Sequence, residues 1–312
     1  MLTSSILTVL GLALFEIISS ADNAIINAEV LRTMSAKMRK WFLFWGILFA
    51  VFVVRGLLPW AIIWATVPSL GPLGALTATW SSDPLVHIAI EKSAPILMAG
   101  GGIFLIFLFL HWLFLEEKHF GLPVERFFVE QGVWFYAVVS ILLSVVVWLA
   151  LHTDPLMAFG AVIGSTAFFI THGFKENAER AEKELVSGTS KHSDISKILY
   201  LEVIDATFSL DGVLGAFAFT LSIPLILIGN GIGAVVLRKL TVSNIETVKK
   251  YVFLKNGAMY SVFFLGCIML LHAFHVPVPE WVSPLATFFI VGYFFRKSRC
   301  EINARLCEVP RA

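Results

Sequence analysis

Five carboxylates, Glu16, Asp22, Glu202, Asp205 and Asp211, stand in stretches of sequence otherwise apolar enough to cross hydrocarbon. A carboxylate at the centre of a bilayer costs roughly 2.5–3.5 kcal/mol on insertion scales, so five, simply added, cost on the order of 12–17 kcal/mol. No packing role requires that. Compensation has to come from a bound cation, from protonation, or from basic groups in the same stretches, where Arg55 and Arg238 are available. Carboxylate, amide and carbonyl oxygens are ligands for Mg²⁺, Ca²⁺ and Mn²⁺, whereas softer metals prefer thiolates. None of the three cysteines, Cys267, Cys300 and Cys307, is near the acids in the sequence. These residue types therefore point to reversible capture of a hard divalent cation.

Spacing adds geometry. Glu202 and Asp205 are three apart and share a helix face. Glu16 and Asp22 are six apart, as are Asp205 and Asp211, which on a regular helix turns the second acid about 120° from the first. An unwound turn at Ser19-Ser20 and another at Ser209 would bring both acids of each pair to one site and free backbone carbonyls as ligands. Asn23 and Gly212 suit such a break. The expectation is two broken helices meeting near the midplane around an oxygen-lined cation site. Arg55 and Arg238 would balance the acids when the site is empty or lock helices together, with snorkelling to the interface the alternative for Arg238. His111, His172 and His272 sit toward helix ends, as interfacial hydrogen-bonders able to assist.

The elements that carry these residues are membrane helices. The chain has 312 residues, 58% apolar and 14% charged, with a mean hydropathy of +0.84. Soluble domains carry about 25% charged residues, so a soluble enzyme and a disordered chain are excluded. A net charge of +1 gives no footprint for nucleic acid. Nine stretches approach the roughly 20 apolar residues of a span: 4–30, 41–64, 94–115, 133–151, 155–174, 199–221, 223–238, 257–274 and 281–295. The first basic residue is Arg32, so the first stretch reads as a retained helix rather than a cleaved signal. All of the 23 Lys and Arg except Arg55 and Lys92 fall in the odd-numbered loops, their flanks or the C-terminal tail. That alternation places the N-terminus outside and the C-terminus in the cytoplasm. The loop 175–198, charged and broken by Ser-Gly-Thr-Ser, reads as a solvated helical hairpin or linker, and is where a partner would dock. The Pro-, Gly- and Ser-rich segment 65–93 reads as the largest outside loop. Trp41, Trp45, Trp60 and Trp64 read as an interfacial belt.

The chain also repeats itself. Glu16-Ile17-Ile18-Ser19-Ser20-Ala21-Asp22-Asn23 parallels Asp205-Ala206-Thr207-Phe208-Ser209-Leu210-Asp211-Gly212. Trp45-Gly46 before Arg55 parallels Gly229-Asn230-Gly231 before Arg238, and Lys92-Ser93-Ala94 parallels Lys255-Asn256-Gly257. Spans 1–3 thus correspond to 6–8. The offset of five is odd, so the triplets cross the bilayer in opposite senses, the inverted repeat common among secondary transporters. The fold class expected is an all-α polytopic bundle in a single membrane domain. It comprises a first repeat over 1–115, connecting helices and loop over 116–198, a second repeat over 199–274, and a last helix with a basic tail over 275–312.

FEIISSADNAI followed by WFLFWGILFAVFVVRG resembles the first half of the TerC-type integral membrane proteins, and LYLEVIDATFSLDGVLGAFAFT, IGNGIGAVVLRKL and YVFLKNG resemble their second half. The sequence is most similar to a branch described as domain of unknown function 475. The resemblance implies a superfamily of exporters with inverted repeats, some associated with manganese efflux and others by name with tellurium resistance. Carried over by motif, it implies Glu16, Asp22, Asn23, Glu202, Asp205 and Asp211 as metal ligands, with Ser19, Ser20 and Ser209 beside them. The family's second motif usually has Ala at Ser209 and Ser at Gly212, a change in the ligand set that bears on which metal is taken.

The function expected is export of a divalent cation, Mn²⁺ first, with protons as the candidate counter-ion, by a multi-pass protein of the bacterial inner membrane. The cation is cargo, and no prosthetic group is implied. No GxxxxGK[ST] string is present, so ion gradients would drive transport. Direct transport of tellurite is disfavoured, because an anion would meet the carboxylates. An intramembrane aspartyl protease on Asp22 and Asp211 lacks its GxGD-type context, and Ser19, Ser20 and Ser209 lack an activating base nearby in the sequence. The remaining alternatives are a membrane partner protein that aids metalation or assembly of envelope proteins, and tellurium or metal-stress resistance without direct transport.

Overall fold

The structure is a computed structural model that describes residues 2–21, 24, 28, 30, 31, 34–46, 49, 55–77, 84–186 and 194–308. All regular structure among them is helical. The longer helices are α1 (Leu2–Ser19), α2 (Ala36–Trp41), which runs into a π-helical turn at Phe42–Gly46, α3 (Arg55–Thr66), α4 (Gly71–Thr77) and α5 (Pro84–Leu115). They continue as α6 (Pro123–Glu130), α7 (Phe135–Leu151), α8 (Pro155–Val186), α9 (Asp194–Phe217), α10 (Ile223–Lys250), α11 (Leu254–Ala273) and α12 (Val282–Glu308). Four segments, Ser93–Leu115, Gly132–Leu151, Pro155–Lys175 and Leu254–Ala273, are long and apolar enough to cross a membrane unaided. Thr3–Ser19 and Ile223–Leu237 are shorter apolar helices.

One expectation is corrected, and the helical reading of 175–198 agrees with the structure. The segment 65–93 is not an open loop: it holds a 3₁₀ turn at Pro68–Leu70, then α4, and α5 already begins at Pro84. Proline at the first helical position supplies a preset φ and lacks only an N–H that would be unpaired there. Hydropathy finds where a helix turns apolar, not where it starts. The loop 175–198 is helical on both sides, as α8 continues to Val186 and α9 starts at Asp194; its Ser-Gly-Thr-Ser stretch lies outside the described residues.

α5 is the central helix. Its span is 83% buried within the bundle, against 22% for the span ending in α7, whose Tyr136, Ile141, Val145 and Trp148 face outward as a lipid surface. Lipid gives helices no hydrophobic reason to associate, so close packing through small residues does that work. On α5, a Cβ at Gly100 would stand 2.8 Å from the Gly160 carbonyl of α8, and one at Gly164 would run into the Gly100 carbonyl. One at Gly102 would stand 3.0 Å from the Gly266 carbonyl of α11. A second seam joins α1 to α9 and α10. A Cβ at Gly215 would strike the Phe15 ring at 2.5 Å, and one at Gly233 would lie 2.7 Å from both the Ala13 carbonyl and Glu16 Cβ.

These contacts also give direction. Along α1, Gly11 meets Phe219, Phe15 meets Gly215 and Glu16 meets Gly212, so α1 and α9 run antiparallel. Along α5, Gly102 meets Gly266 and Glu116 meets Lys255, so α5 and α11 are antiparallel too. These are the first and third members of the two triplets, and α1 packs on α10 as α9 packs on α3. Opposed directions and exchanged partners are what an inverted repeat requires.

One polar latch closes the end of α5. The buried Glu125 of α6 accepts hydrogen bonds from Gly121 N (2.7 Å) and Asn256 Nδ2 (3.0 Å), and Asn256 also donates to the His119 carbonyl at 3.0 Å. Lys297 Nζ of α12 donates to the Gly121 carbonyl. Lys118 caps α5 by donating to the carbonyls of Trp112 and Leu113. The Lys-Asn-Gly motif therefore ties the α5–α6 turn to α11.

Replacing Gly233 by Leu should destabilise the protein by about 1–3 kcal/mol through overpacking. Gly173→Ala, with nothing within 4 Å of its Cβ, should instead gain up to about 1 kcal/mol of helix stability. Thermal unfolding in detergent, followed by tryptophan fluorescence, separates the two; equal shifts would contradict the glycine seam.

Candidate functional site

Glu16 occupies the last turn of α1 and is 1% exposed. Ser20 Oγ donates to its Oε1 at 2.9 Å, and Ser19 Oγ makes a long bond, 3.4 Å, to its backbone carbonyl. α1 ends at Ser19 and Ser20 is a turn residue, as expected. The interruption is slight, however: Ser20 N–H still reaches the Glu16 carbonyl (3.1 Å) and Ala24 N–H the Ser20 carbonyl (3.0 Å). Asp22 and Asn23 lie outside the described residues.

The second break is absent. α9 is helical at every residue from Asp194 to Phe217, through both Ser209 and Gly212. Gly212 does not adopt a positive φ; among the described glycines only Gly71 does. Its missing side chain serves approach, since a Cβ there would stand 3.3 Å from Glu16 Oε2. The glycine admits a carboxylate rather than unwinding a helix. A slight interruption after α1 against one continuous helix replaces the symmetrical pair of breaks. The side chains of Glu202, Asp205, Ser209, Arg55 and Arg238 lie outside the described residues.

Glu16 approaches α9 at Gly212, the residue following Asp211, whose own side chain lines a different space. Asp211 lines a narrow cavity with Phe104 and Leu108 of α5. Thr171, His172 and Lys175 of α8 line the rest of it, over the Phe168 ring. Phe104 is the middle residue of the apolar span Ser93–Leu115 and Lys175 the last of Pro155–Lys175, so the cavity reaches from the middle of one span to the end of the other. The space measures about 10 Å³ for the centres of water-sized molecules, room for about one water.

From this cavity a chain of polar groups runs to the end of α5. Lys175 acts electrostatically on both Asp211 and Glu116. The His172 and His111 rings face each other with centroids 3.9 Å apart. His111 Nδ1 stands 3.8 Å from Glu116 Oε1, and Lys255 Nζ pairs with Glu116 Oε2 at 2.7 Å. Burial would raise the Glu116 carboxyl, but His111, Lys255 and Lys175 together outweigh it and hold the group below the usual carboxylate range. Burial pushes the Lys118 ammonium the other way, down to about 8, against the opposing pull of Glu125 and Glu116.

Of these groups, the sequence reading singled out Asp211 and the two histidines, but neither the histidine pairing nor the Lys175 and Glu116 partners. A signal existed: Phe168, Thr171, His172 and Lys175 follow the i, i+3, i+4, i+7 spacing of a single helix face. Among the described residues no group of three or more His, Cys, Asp or Glu is placed to hold a metal. His272 lies at the other end of the bundle, where it lines a vestibule of about 290 Å³ with Met98, Phe217, Thr220 and Glu280. Phe217 is six residues beyond Asp211, about 9 Å along the helix axis. Met269 and Leu214 pack over Gly101 beside this interval.

Lys255→Met should leave Glu116 buried without its nearest cation and cost more stability than the double variant Lys255→Met/Glu116→Gln, because an uncompensated charge costs more than an absent pair. Equal losses in thermal unfolding would make the pair a bystander. The Lys118 pKa is lower in the folded protein than its ordinary 10.5, so the unfolded chain binds more protons between pH 8 and 10.5. Stability should therefore rise as pH increases through that window, and Lys118→Met should flatten that rise.

No curated protein and no solved structure matches the chain. A family model does match, over residues 21–304, which include the whole of the second acidic motif, the Asp211 cavity, the Lys-Asn-Gly latch and, of the first acidic motif, Asp22 and Asn23 but not Glu16, and the chain belongs to that family, described as protein of unknown function (DUF475).

Proposed function

We propose that the protein is a secondary transporter that exports a divalent cation, Mn²⁺ first, across the bacterial inner membrane. The observation that carries this reading is the position of Asp211: in a cavity that reaches the middle of an apolar span, on a helix that lines a vestibule at its far end. An ionisable group at that depth is costly and marks an ion pathway more often than a structural contact. Glu16 beside Gly212 adds a second carboxylate at the same level, and hard oxygen donors match Mn²⁺, Mg²⁺ or Ca²⁺. Asp22, Asn23, Glu202 and Asp205 complete the proposed ligand set from the same two motifs. The antiparallel triplets supply the architecture of alternating access, and the motifs that resemble the TerC-type exporters support the same class. Protons carried by the acids are the proposed counter-ion. By the distribution of Lys and Arg, the Glu116–Lys255 end faces the cytoplasm and the vestibule faces outward.

Cellular metal content tests the proposal. Cells challenged with a panel of divalent ions and expressing the wild-type chain should hold less of one metal than cells expressing Asp211→Asn at the same level, as measured by mass spectrometry. If no metal differs, transport through this site is wrong, and the alternative of a membrane protein that aids metalation or assembly of envelope proteins takes its place.

A further inference from the structure

An acid in hydrocarbon needs a counter-charge whenever its cargo is absent. The basic group that the structure brings to the Asp211 cavity is Lys175, which comes from α8, outside both repeats. A second group it acts on, Glu116, has cations of its own in Lys255 at 2.7 Å and, when protonated, His111 at 3.8 Å. Lys175 is held within a continuous helix that runs eleven residues further, to Val186, so its backbone is fixed beside the cavity while its flexible stem can swing. The cavity takes about one water-sized occupant. An ammonium group and a metal ion are both about that size, so the space suits one or the other.

We propose that Lys175 is a tethered stand-in for the cargo: its ammonium group neutralises Asp211 between transport events, and an arriving divalent cation displaces it toward Glu116. The idea rests on the cation-transport reading above. Among the described residues, Asp211, Thr171 and His172 line the cavity with the lysine, Glu116 lies beyond it, and Lys255 stands at the far end. An internal competitor lowers the apparent affinity for the cation, because each binding event first breaks the lysine–carboxylate attraction. It also keeps the emptied site from being left as an uncompensated anion.

Equilibrium binding of radioactive Mn²⁺ to the purified full-length protein in lipid nanodiscs tests this, with Ca²⁺ and Mg²⁺ as competing ions. Lys175→Met should tighten Mn²⁺ binding by about tenfold. Lys175→Arg, which keeps the charge, should stay near wild type, and Asp211→Asn should abolish binding in every background. Should the Met variant fail to fold, Lys175→Gln carries the same expectation. Unchanged or weaker binding in folded Lys175→Met or Lys175→Gln, with Asp211→Asn still abolishing it, overturns the stand-in and leaves the cation site intact. No binding of any of the three ions to wild type or to either neutral variant overturns the transport reading, and the stand-in with it.

Discussion

A carboxylate held in hydrocarbon has to be compensated from within the protein, and much of this bundle is arranged around that requirement. Asp211 is met by Lys175 from a helix that belongs to neither repeat, and Glu116 is met by Lys255 and His111 at the edge of the membrane. Glu16 is held by Ser20 and admitted between helices by two glycines. None of these arrangements is needed for the apolar core, which Phe15, Phe104, Phe107, Phe168 and Trp112 fill without assistance. The polar groups add cost to a fold that would pack without them, and in the proposed function a bound cation offsets it.

The glycines make the arrangement sterically possible. Where helices meet backbone to backbone, as at Gly100, Gly160 and Gly164, side chains are absent from the contact and the helices sit close enough for short polar groups to reach across. Gly212 and Gly233 do the same around Glu16. The Lys-Asn-Gly motif has a related role: Lys255 and Asn256 reach Glu116 and Glu125, while Gly257 lets α12 approach, its would-be Cβ 3.3 Å from Phe294.

Much of the helical layout was legible in the sequence. The stretches 94–115, 133–151, 155–174 and 257–274 correspond within a few residues to the four clear spans, because continuous hydropathy and membrane thickness constrain each other. Helix ends beyond the membrane were not legible, since hydropathy falls silent where α5, α8 and α10 continue into polar sequence. That silence hid Lys175, which looks like a loop residue until α8 is seen to run through it. Gly212 was misread for a different reason. A glycine that breaks a helix and a glycine that lets a neighbour approach are identical in sequence, and only the residue opposite, Glu16, distinguishes them.

The glycine contacts run along two seams, α5 with α8 and α11, and α1 with α9 and α10, and α9 also packs on α5 and α8. If the two seams move against each other in the proposed transport, each would shift as a block where its contacts are backbone to backbone, as at Gly100, Gly160 and Gly164. The Asp211 cavity lies on the boundary, with its Phe104 and Lys175 walls in one block and the acid in the other. The vestibule lies on the same boundary, with Met98 and His272 facing Phe217. Relative rotation of the blocks about an axis between the two cavities would widen one as it narrows the other, and the first distance to lengthen at the inner cavity would be the one between carboxylate and lysine.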